Sequence, residues 1–330
     1  MRKKLLSVTM ITLLSLTVIA SLAGCGASTA QQSGSAKTYT VAFLTANMPD
    51  PFYVSIYYGA VQEAKQLGNV KIIMLDAGGY SNVSQQANQI DEAVADKVDA
   101  IDLAATSPAG TASAVARAWQ AGIPVIGYTS ATNGKTAFYV GSSQQQLGED
   151  QAKYMVQTLN GKGNVVMIDG PAGVSWAVQR SQAFKDYVAK YPGIHILAEK
   201  WGPSDRPTGM TTMENLLQTF PNIDGVYTGS DANGDGVAAA LVAAGKAGKI
   251  VLTTAVMEPD TKTYIEKGVI NMTAAQQGVT IGATTVKDTI AYLQKQAIPD
   301  NVSVPDLVVT KQNVGSVDLS TIQQPADFKP

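Results

Sequence analysis

The sequence predicts an α/β fold with two doubly wound parallel-sheet lobes, and two patterns support this prediction. Apolar runs of strand length alternate with longer segments whose apolar residues recur at helical spacing, from residue 39 to residue 295. Strands that alternate with helices of this length build parallel sheets from βαβ units. The alternation restarts near residue 164, and a chain of 330 residues is long enough for two domains. We therefore expect two lobes of similar size with a cleft between them.

Each element follows from the local pattern of apolar residues and of breaks rich in Gly or Pro. The first helix, for example, stops at Gly68, because glycine readily adopts the left-handed conformation that ends helices. The predicted strands are 39–44, 70–75, 100–103, 124–127, 137–140, 164–168, 195–199, 225–227, 250–254 and 269–273. The predicted helices are 52–67, 82–97, 110–120, 144–159, 174–190, 208–219, one that begins at Val237, 259–266 and 279–295.

A polar break in the stretch 224–241, DGVYTGSDANGDGVAAAL, is the strongest candidate for a binding edge. A short strand stops, Gly, Ser, Asp and Asn fill residues 228–236, and an alanine-rich helix begins at Val237. Open α/β sheets place ligands where strands end and helices begin. Asp231 lies at this edge, where a carboxylate accepts hydrogen bonds from a hydroxylated ligand.

The same break matches the first half of a calcium-binding loop. Asp231, Asn233 and Asp235 occupy loop positions 1, 3 and 5, and Gly236 occupies position 6. The twelfth position requires a bidentate Glu, but Val242 stands there. Asp, Asn and Gly are also common at helix starts for capping alone. We therefore expect no metal and no other cofactor.

The first 24 residues have the pattern of an export signal. Arg2, Lys3 and Lys4 form a basic start, an apolar run follows over 5–22, and LAGC ends at Cys25. The ending resembles a bacterial lipoprotein signal, in which the Cys becomes the lipid-bearing first residue, although an uncleaved transmembrane anchor is the alternative. Because Cys25 is the single cysteine, the exported part has no disulfide. We expect a signal peptide at 1–24 and a lipid-anchored, Gly/Ser-rich tether at 25–37.

Charge and motif content argue against several function classes. The chain carries a formal charge of −2, without the basic face that nucleic acid requires. There is no nucleophile elbow, Walker loop or metal-ligand spacing, and the single histidine, His195, lies within a predicted strand. We therefore expect a binding protein rather than an enzyme, with no nucleic-acid partner.

Four segments in order resemble the type I periplasmic sugar-binding proteins, including ribose-binding protein. The opening FLTANMPDPFYVSIYYGAVQEAKQLG resembles a strand that ends in Asn-Pro-Phe-Phe and continues into a helix. AGIPVIGYTS and VSWAVQRSQAF resemble a core strand and a helix start that carries Arg. PSDRPTGMTTMENLLQTFPNIDGVYTGSD resembles the run from Asp-Arg to the Asn-Asp edge. The resemblance spans residues 39 to about 310.

The resemblance implies a two-lobed, monomeric clamp that closes about hinge strands and delivers a small solute to an ABC permease. It implies an extracytoplasmic location on the cell membrane, and a ligand that is a sugar or polyol. Some relatives instead feed chemotaxis or quorum sensing, so a furanose-like quorum signal or a sensor partner is the alternative. The repressors that share the fold are not expected, because an export signal stands where their DNA-binding helices would be. The implied N-terminal lobe is 38–141 with 277–306, and the C-terminal lobe is 142–276 with 307–330.

The resemblance also maps ligand-binding residues onto this chain. The family's aromatic pair falls on Phe52 and Tyr53, its arginine on Arg180, its edge aspartate on Asp231 and its hinge glutamine on Gln276. Tyr128 and Trp176 offer further apolar faces. Phe52 and Tyr53 could equally be core aromatics at a helix start. A surface charge is the alternative for Arg180, but its position in the matched motif favours the ligand role.

Two departures from ribose-type members bear on the ligand. Thr129 and Ser130 stand where those members carry an Asp-Arg pair, and Ala255 replaces an Asp. Sugar hydroxyls usually take charged partners. The losses therefore favour a reduced, deoxygenated or smaller ligand, and the near balance of Arg180 and Asp231 predicts an uncharged one.

Overall fold

The computed structural model describes residues 37–330. The predicted signal peptide, Cys25 and all of the tether except Lys37 lie outside the described residues. Within 37–330, no helix is both long enough and apolar enough to cross a membrane.

Strands and helices alternate along the described chain. The strands are β1 (Tyr39–Thr45), β2 (Val70–Asp76), β3 (Ala100–Leu103), β4 (Val125–Tyr128), β5 (Tyr139–Gly141), β6 (Lys162–Gly170), β7 (Gly193–Trp201), β8 (Gly225–Thr228), β9 (Val251–Ala255), β10 (Met272–Ala275), β11 (Asn301–Ser303) and β12 (Leu307–Thr310). The helices are α1 (Pro51–Leu67), α2 (Val83–Ala95), α3 (Ala112–Gln120), α4 (Gln144–Thr158), α5 (Ser175–Val188), α6 (Arg206–Thr219), α7 (Asp231–Ala243), α8 (Pro259–Lys267) and α9 (Gly278–Leu293).

These elements form two six-stranded sheets, which confirms the predicted fold class. The first sheet has the order β11-β5-β4-β3-β1-β2, and its neighbouring strands are all parallel. The second has the order β12-β10-β9-β8-β6-β7, and it is parallel except for β12, which runs antiparallel to β10. We call each sheet with its packed helices a lobe: α1, α2, α3 and α9 belong to the first, and α4 to α8 to the second.

The chain passes between the sheets at three places. It leaves the first sheet after β5, returns from β10 into α9, and leaves again between β11 and β12. Each connection is only two or three residues long, at 142–143, 276–277 and 304–306. Three short adjacent crossings restrict relative motion of the lobes to bending about this region.

Helix starts and glycine contacts explain how the lobes pack. Asp50 caps α1 by accepting a hydrogen bond from the Phe52 backbone N–H, and Pro51 occupies the first helical position. Gly59 lets α1 approach α9, since a Cβ there would lie 2.0 Å from the Val279 carbonyl oxygen. A Cβ at Gly148 would lie 2.1 Å from the Arg180 carbonyl oxygen, so α4 and α5 also meet through a glycine.

The helix after β8 begins at Asp231 and not at Val237, so the prediction of a loop over 228–236 was wrong beyond Ser230. Ser230 is the N-cap, and its hydroxyl accepts a hydrogen bond from the Asn233 backbone N–H. Gly234 and Gly236 are tolerated within the helix because of close packing: a Cβ at Gly236 would lie 2.1 Å from the Arg206 carbonyl oxygen of α6. Tertiary contact therefore outweighs the low helix propensity of DANGDG.

The C-terminal segment after β12 contacts both lobes. Ile322 is buried with the core of the second lobe, and the Gln323 side-chain amide donates to the Met257 carbonyl oxygen at 2.7 Å. Phe328 then packs edge-on against Tyr58 of α1, with ring centroids 4.9 Å apart. The pattern of apolar residues did not predict this return to the first lobe.

Candidate ligand site

A small cavity lies between the lobes, beside the ends of several strands. Its volume is about 30 Å³, which is room for about one water molecule. A larger cleft of about 900 Å³ adjoins it, and both are lined by Asp50, Tyr80 and Ser204. Direct contacts join the lobes here, since the Trp176 indole N–H of α5 donates to the Tyr80 hydroxyl at 3.0 Å.

Six of the seven predicted ligand-binding residues line this cavity. They come from α1, α5, α7 and the connection between β10 and α9: Phe52, Tyr53, Trp176, Arg180, Asp231 and Gln276. Residues more than 200 positions apart in the sequence therefore meet at one place. Their role in binding remains a proposal.

The seventh residue, Tyr128, does not line the cavity. Its side chain is fully buried, and its ring stacks on Phe43 with centroids 4.8 Å apart. Its hydroxyl donates to the Leu44 carbonyl oxygen at 2.9 Å, so the polar end is satisfied within the first lobe. This geometry is that of a core tyrosine.

Arg180 is buried, with 2% of its surface exposed, and it bonds to neutral oxygens. Its guanidinium donates to the Gln144 and Gln276 side-chain oxygens and to the Gly229 carbonyl oxygen. Its guanidinium carbon also lies 5.0 Å from the centre of the Trp176 ring. Burial lowers the pKa of Arg180 from its ordinary value, and the charges of nearby groups oppose that shift.

Asp231 has one carboxylate oxygen without a partner. Its Oδ1 accepts from the Ala232 backbone N–H at 2.9 Å, whereas Oδ2 has no hydrogen bond. Only 2% of the residue is exposed. Burial raises the pKa of Asp231 well above its usual range, and the negative charges of Asp50 and Asp235 raise it further.

Two further amide and hydroxyl groups at the cavity lack partners. The Gln276 side-chain nitrogen and the Thr129 hydroxyl are buried and make no hydrogen bond. Buried polar groups are normally paired, so unpaired groups around a cavity are free to bind a ligand. With Asp231 Oδ2, they offer at least one donor, one acceptor and one hydroxyl that can do either.

Three residues at the cleft were not predicted: Tyr80, Asp50 and Glu258. Tyr80 follows β2 in a loop, and its hydroxyl lies 3.0 Å from that of Tyr53 and bonds Trp176. Asp50 and Glu258 occupy the N-cap positions of α1 and α8 and both line the larger cleft, where burial and the Asp50 charge both contribute to the raised pKa of Glu258. An acidic N-cap usually serves its own helix, which hides any second role from sequence reasoning.

The residues of the calcium-like motif do not converge on one point. Asn233 donates to the carbonyl oxygens of Pro203 and Asp205, and Asp235 accepts from the Thr261 hydroxyl at 3.0 Å. Asp231 faces the cavity. Over residues 37–330, no group of three or more His, Cys, Asp or Glu is arranged to hold a metal ion.

Comparison with solved structures supports the same fold. An ABC transporter solute-binding protein from Burkholderia graminis C4D1M, in complex with D-arabinose, is 29% identical, with a TM-score of 0.80 over 85% of this chain and 98% of that one. A solute-binding protein from Bacillus halodurans C-125 with bound myo-inositol is 25% identical, with a TM-score of 0.81 over 86% of this chain and 98% of that one.

Comparison with curated proteins and family models identifies the family. The ribose import binding protein RbsB of Bacillus subtilis (strain 168) is 29% identical, over 83% of this chain and 88% of the relative. The periplasmic protein TorT of Escherichia coli (strain K12) is 28% identical, over 89% and 84%. The model of the periplasmic binding protein domain matches residues 41–297. The chain therefore belongs to the periplasmic binding protein family, as the sequence predicted.

Proposed function

We propose that this chain is an extracytoplasmic solute-binding lipoprotein. It captures a small hydroxylated molecule, a sugar or polyol, between its lobes and delivers it as a monomer to an ABC importer. The observation that carries the proposal is the cavity between the lobes, where unpaired buried polar groups stand beside four aromatic side chains. Aromatic faces suit the C–H surfaces of such a ligand, and the polar groups suit its hydroxyls. Sugar-bound relatives of the same family support it.

The proposed mechanism is lobe closure about the three crossings. We propose lobes of 38–141 with 277–306 and 142–276 with 307–330, to which the C-terminal segment adds its contact with α1. A ligand that touches Phe52 and Tyr53 on one side and Arg180 and Asp231 on the other makes all its contacts only when the lobes meet. It therefore favours the closed state by its differential affinity for that state.

Binding rather than catalysis fits the chemistry of the site. His195 lies exposed on β7 and is not among the residues that line the cavity. Arg180 is held by amide and carbonyl oxygens, and no nucleophile with an adjacent base lines the cavity within the described part of the chain.

A thermal-shift screen of residues 37–330 against pentoses, hexoses, polyols and furanose signals tests the proposal. A ligand present at a hundred times its dissociation constant adds about 2.7 kcal/mol to the free energy of unfolding. We expect at least one sugar or polyol to raise Tm by several degrees. A response to none of them, with tight binding of an amino acid or a phosphorylated sugar, would contradict the proposed ligand class.

Membrane attachment through Cys25 is the second part of the proposal, and the sequence LAGC before the tether supports it. Cys25→Ser should block lipidation, so the variant should remain as unprocessed precursor while the wild type is shortened and membrane-bound. Cell fractionation with size analysis of both forms tests this. Two forms of equal precursor length, both in the membrane fraction, would instead identify residues 5–22 as an uncleaved anchor.

A further inference from the structure

We propose that the hydroxylated solute carries a positively charged nitrogen, held between the aromatic side chains and the carboxyls of the cleft. The inference rests on the proposed function and narrows its ligand class to amino sugars, amino polyols or hydroxylated quaternary ammonium compounds. Charge, unpaired acceptors and aromatic lining each support it.

The first support is the excess of acidic groups at the cleft. Asp50 and Asp231 line the small cavity, and Asp50, Asp205 and Glu258 line the larger cleft beside it. Two arginines oppose these four carboxyls. Of these two, Arg206 is already paired with Asp260 at 2.6 Å. Glu258 holds a proton at pH 7, since its pKa is raised to about 11, so Arg180 alone is left to balance Asp50, Asp205 and Asp231. The cleft therefore favours a cation over a neutral or anionic solute.

The second support is that Arg180 does not neutralise Asp231. Its guanidinium is committed to Gln144, Gln276 and the Gly229 carbonyl, and no ion pair joins it to Asp231 within the described residues. Asp231 Oδ2 therefore faces the cavity as a buried acceptor without a donor. A buried carboxylate is stable only when it is paired or protonated. An ammonium group of the ligand would supply the missing pair.

The third support is the aromatic lining. Phe52, Tyr53, Tyr80 and Trp176 all contribute to the same small cavity as Asp50 and Asp231. The rings of Phe52 and Tyr53 meet edge to face with centroids 5.9 Å apart, and the ring centroids of Tyr80 and Trp176 are 6.1 Å apart. Aromatic faces attract cations, and clustered rings are the usual recognition site for quaternary ammonium groups.

A neutral ligand would require the carboxyls to hold protons instead. Burial, together with the nearby charges of Asp231 and Asp50, raises the pKa of Glu258 to about 11. Asp231 and Asp50 also have raised pKa values, for which burial is the main cause. The groups that face this cluster are Asp235 and Arg180, together with the Tyr53 and Tyr80 hydroxyls. Protonation of the carboxyls and binding of a cation are thus two ways to remove the repulsion among these carboxylates. They predict opposite effects of pH on ligand affinity.

Calorimetric titration with matched ligand pairs tests the inference. The pairs are D-glucosamine with D-glucose, 2-amino-1,3-propanediol with glycerol, and choline with 3,3-dimethyl-1-butanol. In at least one pair, the charged member should bind about tenfold or more tightly than its neutral counterpart. Its affinity should also fall as the pH drops from 8 to 5, because protonated carboxyls no longer attract a cation.

Asp231→Asn and Asp50→Asn should each abolish the preference for the charged member within a pair. Asp102→Asn is the matched control, since Asp102 is equally buried, in β3, but does not line the cavity or the larger cleft. It should leave the preference unchanged.

The outcomes separate this inference from the proposed function. Equal or tighter binding of the neutral members, strengthened at low pH, would overturn the inference and leave a protonated site for neutral sugars or polyols. Binding of tetramethylammonium as tightly as choline would instead uphold the cationic site and contradict the requirement for hydroxyls. Failure of every charged and neutral probe, across the wider screen as well, would overturn both.

Discussion

The two walls of the cleft use different chemistry. The first lobe presents mainly aromatic side chains, Phe52, Tyr53 and Tyr80, whereas the second presents the buried charges of Arg180 and Asp231. One residue on each side breaks the pattern: Asp50 on the first lobe and Trp176 on the second.

The difference between the aromatic wall and the charged wall shows how ligand selectivity and lobe closure depend on each other. Aromatic faces contribute contact area that is not specific for hydroxyl pattern, while fixed charges distinguish donors from acceptors. Neither wall encloses a ligand by itself. Ligand contacts with both walls therefore exist only in the closed state, and the predictions below test each wall separately.

The largest expected effect comes from Arg180→Ala. The change removes the donor that serves Gln144, Gln276 and the Gly229 carbonyl, so buried acceptors lose their partner at about 1–3 kcal/mol each. We expect ligand affinity to fall by about tenfold to a few hundredfold, and Tm of the ligand-free protein to fall by several degrees.

Arg117→Ala is the control for that change, because Arg117 forms an exposed ion pair with Asp91 at 2.7 Å, outside the cavity. An exposed pair contributes about 0–1 kcal/mol. Calorimetric titration and thermal melting measure both quantities. Unchanged affinity in Arg180→Ala, with stability lowered, would assign Arg180 a purely structural role.

The next prediction compares the interiors beneath the two walls, each of which contains a buried aspartate. Burial raises the pKa of Asp102 in β3 to about 8 and that of Asp169 in β6 to about 7. Each carboxyl is therefore protonated in the folded state but ionised in the unfolded state between about pH 4 and pH 7. The folded state binds more protons, so the free energy of unfolding decreases as pH rises, by about 1.4 kcal/mol per pH unit and group.

Asp102→Asn should flatten this pH dependence while keeping the hydrogen bond that the Thr289 hydroxyl donates at 2.8 Å. Denaturant unfolding of the ligand-free protein at pH 5, 6 and 7 measures the slope. Asp169→Asn, in the second lobe, should reduce the pH dependence of the free energy of unfolding by a similar amount. A slope identical to wild type in both variants would show that these carboxyls are ionised in the folded protein.

Asp231→Asn should change binding and stability in opposite directions. Asp231 is buried with Oδ2 unpaired, and burial raises its pKa above the unfolded value, so at pH 7 the carboxyl costs stability that an amide does not. We expect the free energy of unfolding of the ligand-free protein to rise by about 1–3 kcal/mol, whereas affinity for the cognate ligand falls. Melting and titration at pH 7 give both numbers. A loss of stability would show that Asp231 supports the lobe.

The sequence predicted the architecture because periodicity and glycine breaks are local signals. The alternation of strands and helices, the resemblance of the motifs, and the position of Arg180 and Asp231 at strand-to-helix edges were all visible without a structure. Strand β10 begins three residues later than predicted, and β11 and β12 were missed. Both are edge strands whose residues are mostly exposed or half-buried, whereas the equally short β3, β4 and β8 are fully buried.

The unpredicted part of the site depends on contacts between distant residues. Asp50 caps α1, and Glu258 occupies the N-cap position of α8 without a side-chain capping hydrogen bond, so only the meeting of the lobes shows that both line one cleft. The same applies to Tyr128, which looks like an exposed strand-end aromatic but bonds the Leu44 carbonyl in the core. Contacts between residues far apart in the sequence therefore set the positions of Asp50, Glu258 and Tyr128.

The smallest expected effect concerns the C-terminal segment, which ties the second lobe to the aromatic side of the first. Ile322 is 2% exposed in the core of the second lobe. The ring centroid of Phe328 lies 4.9 Å from that of Tyr58 and 6.3 Å from that of Tyr57, both on α1. Opening of the cleft moves α1 away from the second lobe, so this contact favours the closed state. An aromatic pair contributes about 0.5–1.5 kcal/mol.

Phe328→Ala should therefore shift the ligand-free protein toward the open state and weaken ligand binding by about two- to tenfold, since 1.4 kcal/mol is a factor of ten. Phe328→Tyr keeps the ring and Asp327→Ala changes an exposed neighbour, so both should behave as wild type. Small-angle scattering of the ligand-free protein measures the opening, and titration measures the affinity. If Phe328→Ala changes neither the radius of gyration nor the affinity, the segment only covers α1, and closure is governed by the three crossings and the cleft walls alone.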